Sequence, residues 1–195
     1  MRVALVRYRY SPHGGAERYL DTLCAGLSAA GAEVRILCAS WDGASAGQVG
    51  VERVSVPRKP ASLRLFLFAR AIRAWAANHP GWLLYSLERV PGVEVYRAGD
   101  GVHAEWLLRK RALRPGSWPL DYLRPLNIAY LYLERAMFGS PVLRLVIANS
   151  NRGREEIVRR FRIPEENIRV VRNGIDIARF LLDRKADARE RFRKR

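Results

Sequence analysis

Two glycines near the amino terminus lie where a chain could bind an anionic ligand. An apolar run at residues 3–6 is followed by His13-Gly14-Gly15 and then by a helix-favouring segment. Glycines at such a junction let backbone N–H groups approach an anion at the start of a helix, where the helix dipole also favours negative charge. The pattern is not the GxGxxG dinucleotide fingerprint, and Gly-Gly also occurs in ordinary tight turns.

A carboxylate and a histidine in the middle of the chain form a second candidate site. Asp100 lies between Gly99 and Gly101, and His103 follows it closely. A carboxylate that faces a cleft can orient a hydroxyl group or accept its proton, and a histidine can carry a proton. Two structural alternatives remain open: Asp100 could cap a helix that begins near His103, and a lone histidine is commonly a structural residue.

Two further polar pairs follow apolar, β-branched runs near the carboxyl end. Asn149-Ser150 comes after the run at residues 145–148, and Asn173-Gly174 comes after Val170-Val171. Ser150 is expected to cap the helix that follows it. Asn-Gly predicts a turn, because both residues tolerate positive φ.

Length and composition predict one α/β domain with a sizeable core. The chain has 195 residues, 49% of them hydrophobic, and a formal net charge of +16. The charge is uneven: the first 100 residues carry 13 basic and 8 acidic side chains, whereas the remaining 95 carry 22 and 11. This asymmetry suggests an anionic partner such as a phosphorylated substrate, a membrane surface or nucleic acid. Only four of the 35 basic residues are lysines, so a general bias towards arginine is an alternative explanation.

The cysteines and the apolar segments bear on the cellular compartment. Cys24 and Cys38 lack metal-ligand spacing, and two buried free thiols suit a reducing cytosol. No secretory signal is visible, because Arg7 interrupts the first apolar run. The longest apolar stretches fall short of the roughly 20 residues of a membrane-spanning helix. No metal site and no cofactor are expected.

Periodicity predicts strands that alternate with helices. Strands are predicted at residues 2–8, 34–39, 51–56, 82–85, 93–96 and 145–148, with a last one ending at Val171. Helices are predicted at residues 16–30, 63–78, 104–114, 125–138 and 150–162. Loops are predicted at 41–50, between two strands, and at 115–119, between two helices. This alternation is typical of parallel βαβ units and predicts a Rossmann-like, doubly wound and mostly parallel sheet.

The segment from Trp106 to Tyr132 combines aromatic and basic side chains. Such amphipathic helices can lie at an anionic membrane interface, or their aromatic residues can pack onto the sheet as core. Trp118, between Gly116 and Pro119, is hard to place in a core. A groove for single-stranded nucleic acid would use similar residues, but no RNP, KH or helix-turn-helix pattern accompanies them, so nucleic acid is not expected as a partner.

Three segments, taken in order, carry a family resemblance. These are His13-Gly14-Gly15-Ala16-Glu17-Arg18, then Asn149-Ser150, then Asn173-Gly174-Ile175-Asp176 followed by Arg179-Phe180. Together they resemble the amino-terminal half of retaining glycosyltransferases of the GT-B fold, family 4 type. The resemblance covers essentially the whole chain. It implies an acceptor-side Rossmann-like domain over residues 1–180 and a charged helical tail over 181–195 that leads towards a carboxyl-terminal donor-binding domain, which is absent.

A narrower resemblance rests on residues 88–100, on Ala104-Glu105 and on Trp41-Asp42-Gly43. These resemble the subgroup that adds glucose to the inner core of lipopolysaccharide; the subgroup has Glu where this chain has Asp42. In many relatives a histidine lies in the cleft at this point, whereas the subgroup has an aspartate, which Asp100 matches.

The resemblance implies a function for the whole enzyme and positions for its site. A hexose, expected to be glucose from UDP-glucose, would be transferred to a cell-envelope glycolipid with retention of configuration and without a metal. Asp100 is the candidate catalytic residue; Gly14, Gly15, Asn173 and Gly174 are candidate donor-binding residues, and Arg18, His103 and Ser150 candidate acceptor-binding residues.

This chain alone would have no substantial turnover, because the groups that stabilise the departing diphosphate come from the absent half. Residues 104–135 could contact an anionic membrane surface. The protein is expected to be cytoplasmic and peripheral on the inner face of the membrane. The alternative is a non-catalytic half-transferase that binds an acceptor or a membrane.

Overall fold

The structure is a computed structural model that describes residues 1–11, 15–42, 49–57 and 60–174, with residues 15–17, 117 and 118 described by their backbone only. Three predictions therefore lie outside the described residues. These are the place of Gly14, the loop at 43–48, and the end of the domain at residue 180 with its tail at 181–195.

Nine strands and six α-helices make up the described part of the chain. The strands are β1 (Arg2–Val6), β2 (Arg9–Tyr10), β3 (Glu33–Cys38), β4 (Ser40–Trp41), β5 (Gly50–Arg53), β6 (Trp82–Ser86), β7 (Val95–Ala98), β8 (Leu145–Ala148) and β9 (Ile168–Val170). The helices are α1 (Gly15–Ala29), α2 (Ala61–Asn78), α3 (His103–Leu113), α4 (Trp118–Leu123), α5 (Pro125–Phe138) and α6 (Asn151–Phe161).

Seven of the strands form one sheet, in the order β5-β3-β1-β6-β7-β8-β9, and each neighbouring pair is parallel. The prediction of a doubly wound parallel sheet is therefore confirmed. The strand order reverses between β1 and β6, which lie side by side although helix α1, strand β3 and helix α2 separate them in the chain. In open parallel sheets, ligands bind beyond the carboxyl ends of the strands at such a reversal.

Alternation along the strands divides the core into two layers. Val3 and Leu5 face the layer that includes Leu20 and Cys24 of α1. Ala4 and Val6 face a larger layer formed with α2, α5 and α6, to which Ile72, Met137 and Ile157 contribute. Successive residues of a strand point to opposite faces, so both faces of a central parallel strand are buried and its sequence is continuously apolar.

Several element boundaries differ from the predictions, and strand β5 ends at Arg53, three residues earlier than predicted. Strand β1 ends at Val6 because the chain then turns, and the backbone N–H of Tyr8 donates to the Glu88 carboxylate instead of to a strand. Strand β7 begins two residues later than predicted, since its pairing with β8 starts at Val95. The short helix α4 was not predicted, because Pro115, Gly116 and Pro119 indicated a loop.

The predictions for the cysteines and for the longest apolar segments can be compared with the structure. Cys24 and Cys38 are buried and unpaired, as expected. Among the described helices, none is both long enough and apolar enough to cross a lipid bilayer.

Candidate functional site

Polar side chains collect where the central strands end. Arg7 and Tyr8 follow β1, Glu88 follows β6, and Asp100 follows β7. Asn149 and Ser150 follow β8, and Asn173 comes shortly after β9. Since parallel strands end at one edge of a sheet, the fold brings together residues that lie up to 166 positions apart in the chain. We call this edge of the sheet, where the residues that follow β1, β6, β7, β8 and β9 lie, the carboxyl edge.

Glu88 connects the two strands that meet at the reversal of strand order. Its Oε1 accepts hydrogen bonds from the Arg7 guanidinium at 2.9 Å and from the backbone N–H of Tyr8 at 3.0 Å. Burial raises the pKa of Glu88, the neighbouring Arg7 guanidinium opposes that rise, and the nearby Asp100 carboxylate adds to it. Glu88, which follows β6, therefore links that strand to the residues that follow β1.

Asp100 presents an exposed carboxylate at this edge. No described residue donates a hydrogen bond to its side chain, and the first residue of α3 is preceded by Val102 as N-cap without any side-chain cap. The alternative that Asp100 caps the helix near His103 is therefore wrong. Burial raises the pKa values of Glu88, Tyr96 and Tyr130, and the Asp100 carboxylate adds a smaller rise to each.

The helix start is instead satisfied by a residue that sequence reasoning missed. Glu134 of α5 is 1% exposed, and its carboxylate accepts from the backbone N–H of His103 at 2.8 Å and of Ala104 at 3.3 Å. It also accepts from Arg89 Nε at 3.1 Å. The Arg89 guanidinium in turn donates to the Gly101 carbonyl at 2.9 Å, so the pair fixes the part of the chain that follows Asp100.

The two glycines beside Asp100 are needed for different reasons. Gly101 has φ +70°, a left-handed conformation that side chains disfavour. Gly99 has no such φ, but a Cβ there would lie 2.5 Å from a terminal nitrogen of Arg97. The Gly99 carbonyl accepts a hydrogen bond from Asn149 Nδ2 at 2.8 Å, which ties the turn to the end of β8.

His103 lies in a half-buried setting of hydrogen bonds and rings. Asn127 donates from Nδ2 to the Asp121 carbonyl at 2.7 Å, which turns its Oδ1 towards His103 Nε2 at 3.1 Å. A neutral His103 with its proton on Nε2 satisfies this geometry and leaves Nδ1 as an acceptor. Burial, and next the Arg89 guanidinium, lowers the pKa of His103, which favours that neutral form.

The remaining predicted residues fall into two groups. Ser150 is the N-cap of α6, as expected: its Oγ accepts from the Gly153 N–H at 3.1 Å. Asn173 is exposed at the same edge and accepts from Arg97 of β7, so the structure brings Asp100, Ser150 and Asn173 together through Gly99, Asn149 and Arg97. Gly15 begins α1, Arg18 is exposed on it, and Gly174 is exposed after Asn173. No hydrogen bond in the described part of the chain joins Arg18 to Asp100.

A cavity of about 540 Å³ opens at the ends of β1 and β3, lined by Tyr8, Arg9, Ala39, Ser40, Asp42, Val56 and Arg64. Arg9 pairs with Asp42 at 3.0 Å, and the Arg64 guanidinium lies 4.9 Å from the Tyr8 ring centre. A larger cavity of about 660 Å³ lies among α3, α5 and α6, and none of the predicted site residues lines it, although its lining residue Glu134 accepts from the His103 N–H. The described residues include no cluster of three or more His, Cys, Asp or Glu side chains suited to a metal ion.

Comparison with known proteins identifies the family. The sequence profile of Glycosyltransferase Family 4 matches residues 13–179, which is most of the chain. The chain belongs to this family.

One relative, matched both in sequence and in structure, carries an informative name. The chain is 22% identical over 195 residues to the lipopolysaccharide glucosyltransferase WaaG of Escherichia coli K12, covering all of this chain and 50% of WaaG. The crystal structure of WaaG matches with a TM-score of 0.77 at 22% identity, over 89% of this chain and 45% of that one. The fold is thus the amino-terminal half of a GT-B glycosyltransferase, as the sequence predicted, and the chain spans about half the length of these relatives.

A third match has a more distant fold. The Anabaena protein Alr3699/HepE, whose crystal structure is titled as a complex with UDP and glucose, aligns with a TM-score of 0.51 at 16% identity. The alignment covers 91% of this chain and 46% of HepE.

Sequence reasoning missed the roles of Arg89, Glu134 and Arg97. The sequence indicates that some of these charged residues are buried, but not which residues they contact. Glu134 lies on the buried face of α5, where a charged residue between apolar neighbours predicts a buried partner. Arg97 lies inside a strand that is otherwise apolar, which is the same signal. Nothing in the sequence gives the partner of either residue.

Removal of the Glu134 side chain tests the buried pair. We expect Glu134→Ala to lower the free energy of unfolding by about 3–5 kcal/mol, because Arg89 and two helix N–H groups lose their acceptor inside the protein. Glu134→Gln should cost less, because one acceptor oxygen remains. Urea unfolding measures both. Glu155→Ala, at an exposed position of α6, is the control and should stay within about 0.5 kcal/mol of the parent; equal losses at 134 and 155 would contradict the assignment.

The lowered pKa of His103 predicts a pH dependence of stability. A histidine whose pKa is lower in the folded than in the unfolded chain stabilises the fold above the ordinary value of 6.5, and this contribution is lost as the pH falls through the folded value. We expect His103→Gln to lose less unfolding free energy than the parent between about pH 7.5 and pH 5.5. Urea unfolding at both pH values measures this, and parallel losses in the two chains would refute it.

Proposed function

We propose that this chain is the acceptor-side half of a retaining glycosyltransferase that transfers a hexose, glucose in the first instance, from a nucleotide sugar to a cell-envelope glycolipid. Membership of the family and the name of WaaG support the reaction class and the lipopolysaccharide-type acceptor. The fold match to HepE, a structure titled with UDP and glucose, supports UDP-glucose as the donor. The observation that carries the proposal is the exposed Asp100 carboxylate at the carboxyl edge, to which no described residue donates a hydrogen bond.

The reaction needs a group that handles the acceptor hydroxyl. In the transfer, the bond between the sugar C1 and the diphosphate oxygen breaks, and its electron pair stays on the diphosphate. A new bond forms between C1 and the acceptor oxygen, whose proton passes to the Asp100 carboxylate. Asp100 suits this step because no described residue occupies its oxygens and because Glu134 and Arg89 hold its turn in place.

The other predicted residues would surround the two substrates. Gly14, Gly15, Asn173 and Gly174 would contact the donor at the start of α1 and after β9, and Arg18, His103 and Ser150 the acceptor. His103 Nδ1 would accept from a sugar hydroxyl, since Nε2 is engaged by Asn127. The Ser150 hydroxyl still has its proton to donate, since its oxygen is used as the helix cap. No metal or organic cofactor enters this scheme.

A complementation assay tests the enzyme. We expect no transfer from UDP-glucose by this chain alone, transfer after addition of the carboxyl-terminal half of WaaG, and a loss of about 10²–10⁴-fold in the complemented rate for Asp100→Asn. Glu155→Gln, a change of the same kind on the exposed face of α6, is the control for general effects on the pair. Transfer by the chain alone, or an unchanged rate in Asp100→Asn, would contradict the assignment.

A second activity, attachment to an anionic membrane, is favoured by one surface. Along α3, α4 and α5 several large apolar side chains are exposed, with Leu113 at 83%, Leu120 at 68% and Leu123 at 69%. The segment 104–135 carries six basic and three acidic residues, and the acidic ones are occupied: Asp121 and Glu134 are buried, and Glu105 pairs with Arg159 and Arg160. Exposed leucines beside net positive charge suit a peripheral protein on the inner, cytoplasmic face of a membrane, or the alternative of a non-catalytic half-transferase that binds there.

The aromatic residues of this surface divide between the two earlier interpretations. Tyr130 lies 4.9 Å from the His103 ring centre and under the Arg89 guanidinium, so it packs as core. Trp106 and Tyr132 are 46% and 62% exposed, as an interfacial role requires.

Vesicle sedimentation tests the membrane proposal. We expect the chain to bind vesicles of 30% phosphatidylglycerol in phosphatidylcholine at low salt, and to bind at least about tenfold more weakly as the Leu120→Glu/Leu123→Glu variant. The control is Val142→Glu/Val171→Glu, which adds the same charge at exposed valines outside α3–α5. Equal binding by both double variants, or no binding by the parent, would exclude this surface as the attachment site.

A further inference from the structure

Arg97 is a buried arginine at the carboxyl end of β7. It is 5% exposed and lies on the side of the sheet that α1 covers. Its guanidinium carbon is 3.7 Å from the centre of the Tyr19 ring, and one terminal N–H donates to Asn173 Oδ1. Its Nε is buried and has no hydrogen-bond acceptor among the described residues.

The positive charge of Arg97 is not balanced within the described chain. No described carboxylate lies within 4.0 Å of its guanidinium, whereas the equally buried Arg89 has Glu134. Arginine keeps its proton inside proteins, so the charge cannot be removed by titration. A cation–π contact contributes about 2 kcal/mol, less than the several kcal/mol that an unpaired buried charge costs. Among the described residues, the charge of Arg97 therefore has no balancing carboxylate at the candidate site.

The surroundings of Arg97 indicate which anion would balance it. Arg97 contacts the Tyr19 ring, and Tyr19 lies one helical turn after Gly15, the first residue of α1. The amino-terminal end of a helix, with its N–H groups and positive dipole end, favours an anion. Its present acceptor, Asn173, is exposed and can give way to a ligand oxygen without disturbing the core. The planar guanidinium matches two oxygens of a phosphate group.

We propose that Arg97 binds the diphosphate of the nucleotide-sugar donor between the start of α1 and Asn173. This assignment rests on the proposed function and deepens it. When the bond from C1 to the diphosphate breaks, the electron pair adds negative charge to the diphosphate, and a guanidinium fixed in a water-poor setting stabilises that charge. The acceptor-side half thus supplies a cation to the departing diphosphate. The family resemblance had implied that all groups stabilising the diphosphate come from the carboxyl-terminal half.

The proposal predicts opposite effects on stability and on binding. Arg97→Met removes an uncompensated charge, so the ligand-free variant should unfold at the same temperature as the parent or higher. Inorganic pyrophosphate should raise the unfolding temperature of the parent, and its apparent affinity should fall at least about tenfold in Arg97→Met, with a smaller loss in Arg97→Lys. Arg144→Met, which removes one exposed charge just before β8, controls for general anion binding and should behave as the parent.

Thermal unfolding with inorganic pyrophosphate, UDP and glucose 6-phosphate, each at up to about 20 mM, gives a decision for every result. Binding of pyrophosphate and UDP that depends on Arg97 supports the proposal. A lower unfolding temperature of ligand-free Arg97→Met overturns it, because the guanidinium would then stabilise the ligand-free fold without an anion. No Arg97-dependent binding overturns it too, and a preference for glucose 6-phosphate would assign the guanidinium to a phosphorylated acceptor instead.

The complemented enzyme separates this proposal from the function on which it rests. Transfer that is equally fast in the parent and in Arg97→Met leaves the glycosyltransferase assignment intact and overturns the role of Arg97. A rise in KM for UDP-glucose or a fall in kcat that Arg97→Lys partly restores supports the role. Arg97-dependent binding of pyrophosphate without any transfer would remove the proposed reaction and leave a diphosphate site.

Discussion

The carboxylate of Glu134 holds the candidate site together from inside the core. It accepts hydrogen bonds from the side chain of Arg89, which follows β6, and from the first two backbone N–H groups of α3, while it belongs to α5 itself. Each of these donors would otherwise be buried without an acceptor. The turn of residues 99–102, which carries Asp100, is therefore fixed after Asp100 by Arg89 and by the helix that Glu134 caps, and at Gly99 by Asn149. The position of the exposed carboxylate depends on a buried one.

The excess of arginine has more than one use in this molecule. Arg7 and Arg89 neutralise buried or half-buried carboxylates, and Arg35 covers the Trp82 ring at 4.7 Å. Such contacts draw on the planar, weakly hydrated guanidinium, which lysine does not replace. Compositional bias alone does not explain arginines placed at these particular carboxylates and rings. The surface of α3–α5 and the carboxyl edge are where the remaining charge would meet an anionic partner.

The sequence predicted the architecture well, because the architecture depends on the spacing of apolar residues and on the residues that begin and end each element. Buried strands could be predicted from apolar composition alone at residues 2–6, 33–38 and 82–86. The start of α6 could be predicted because a serine hydroxyl, here that of Ser150, caps helices. The family segments supplied the fold and the edge at which the site lies. Prediction failed where a residue's surroundings come from distant parts of the chain. Asp100 was given the capping alternative because the competing cap, Glu134, is 34 residues away in sequence and adjacent only after folding.

The contact between Arg97 and Gly99 has a consequence for how this site can change over generations. A terminal nitrogen of the guanidinium occupies the volume that any larger residue at 99 would need for its Cβ. Gly99 is thus constrained by the arginine and not by its own backbone conformation, and an alanine there would shift the far end of the Arg97 side chain. Exchange of the arginine for a smaller, uncharged residue would free position 99 for alanine. Alanine at 99 beside a retained arginine would instead move the positive charge at the carboxyl edge.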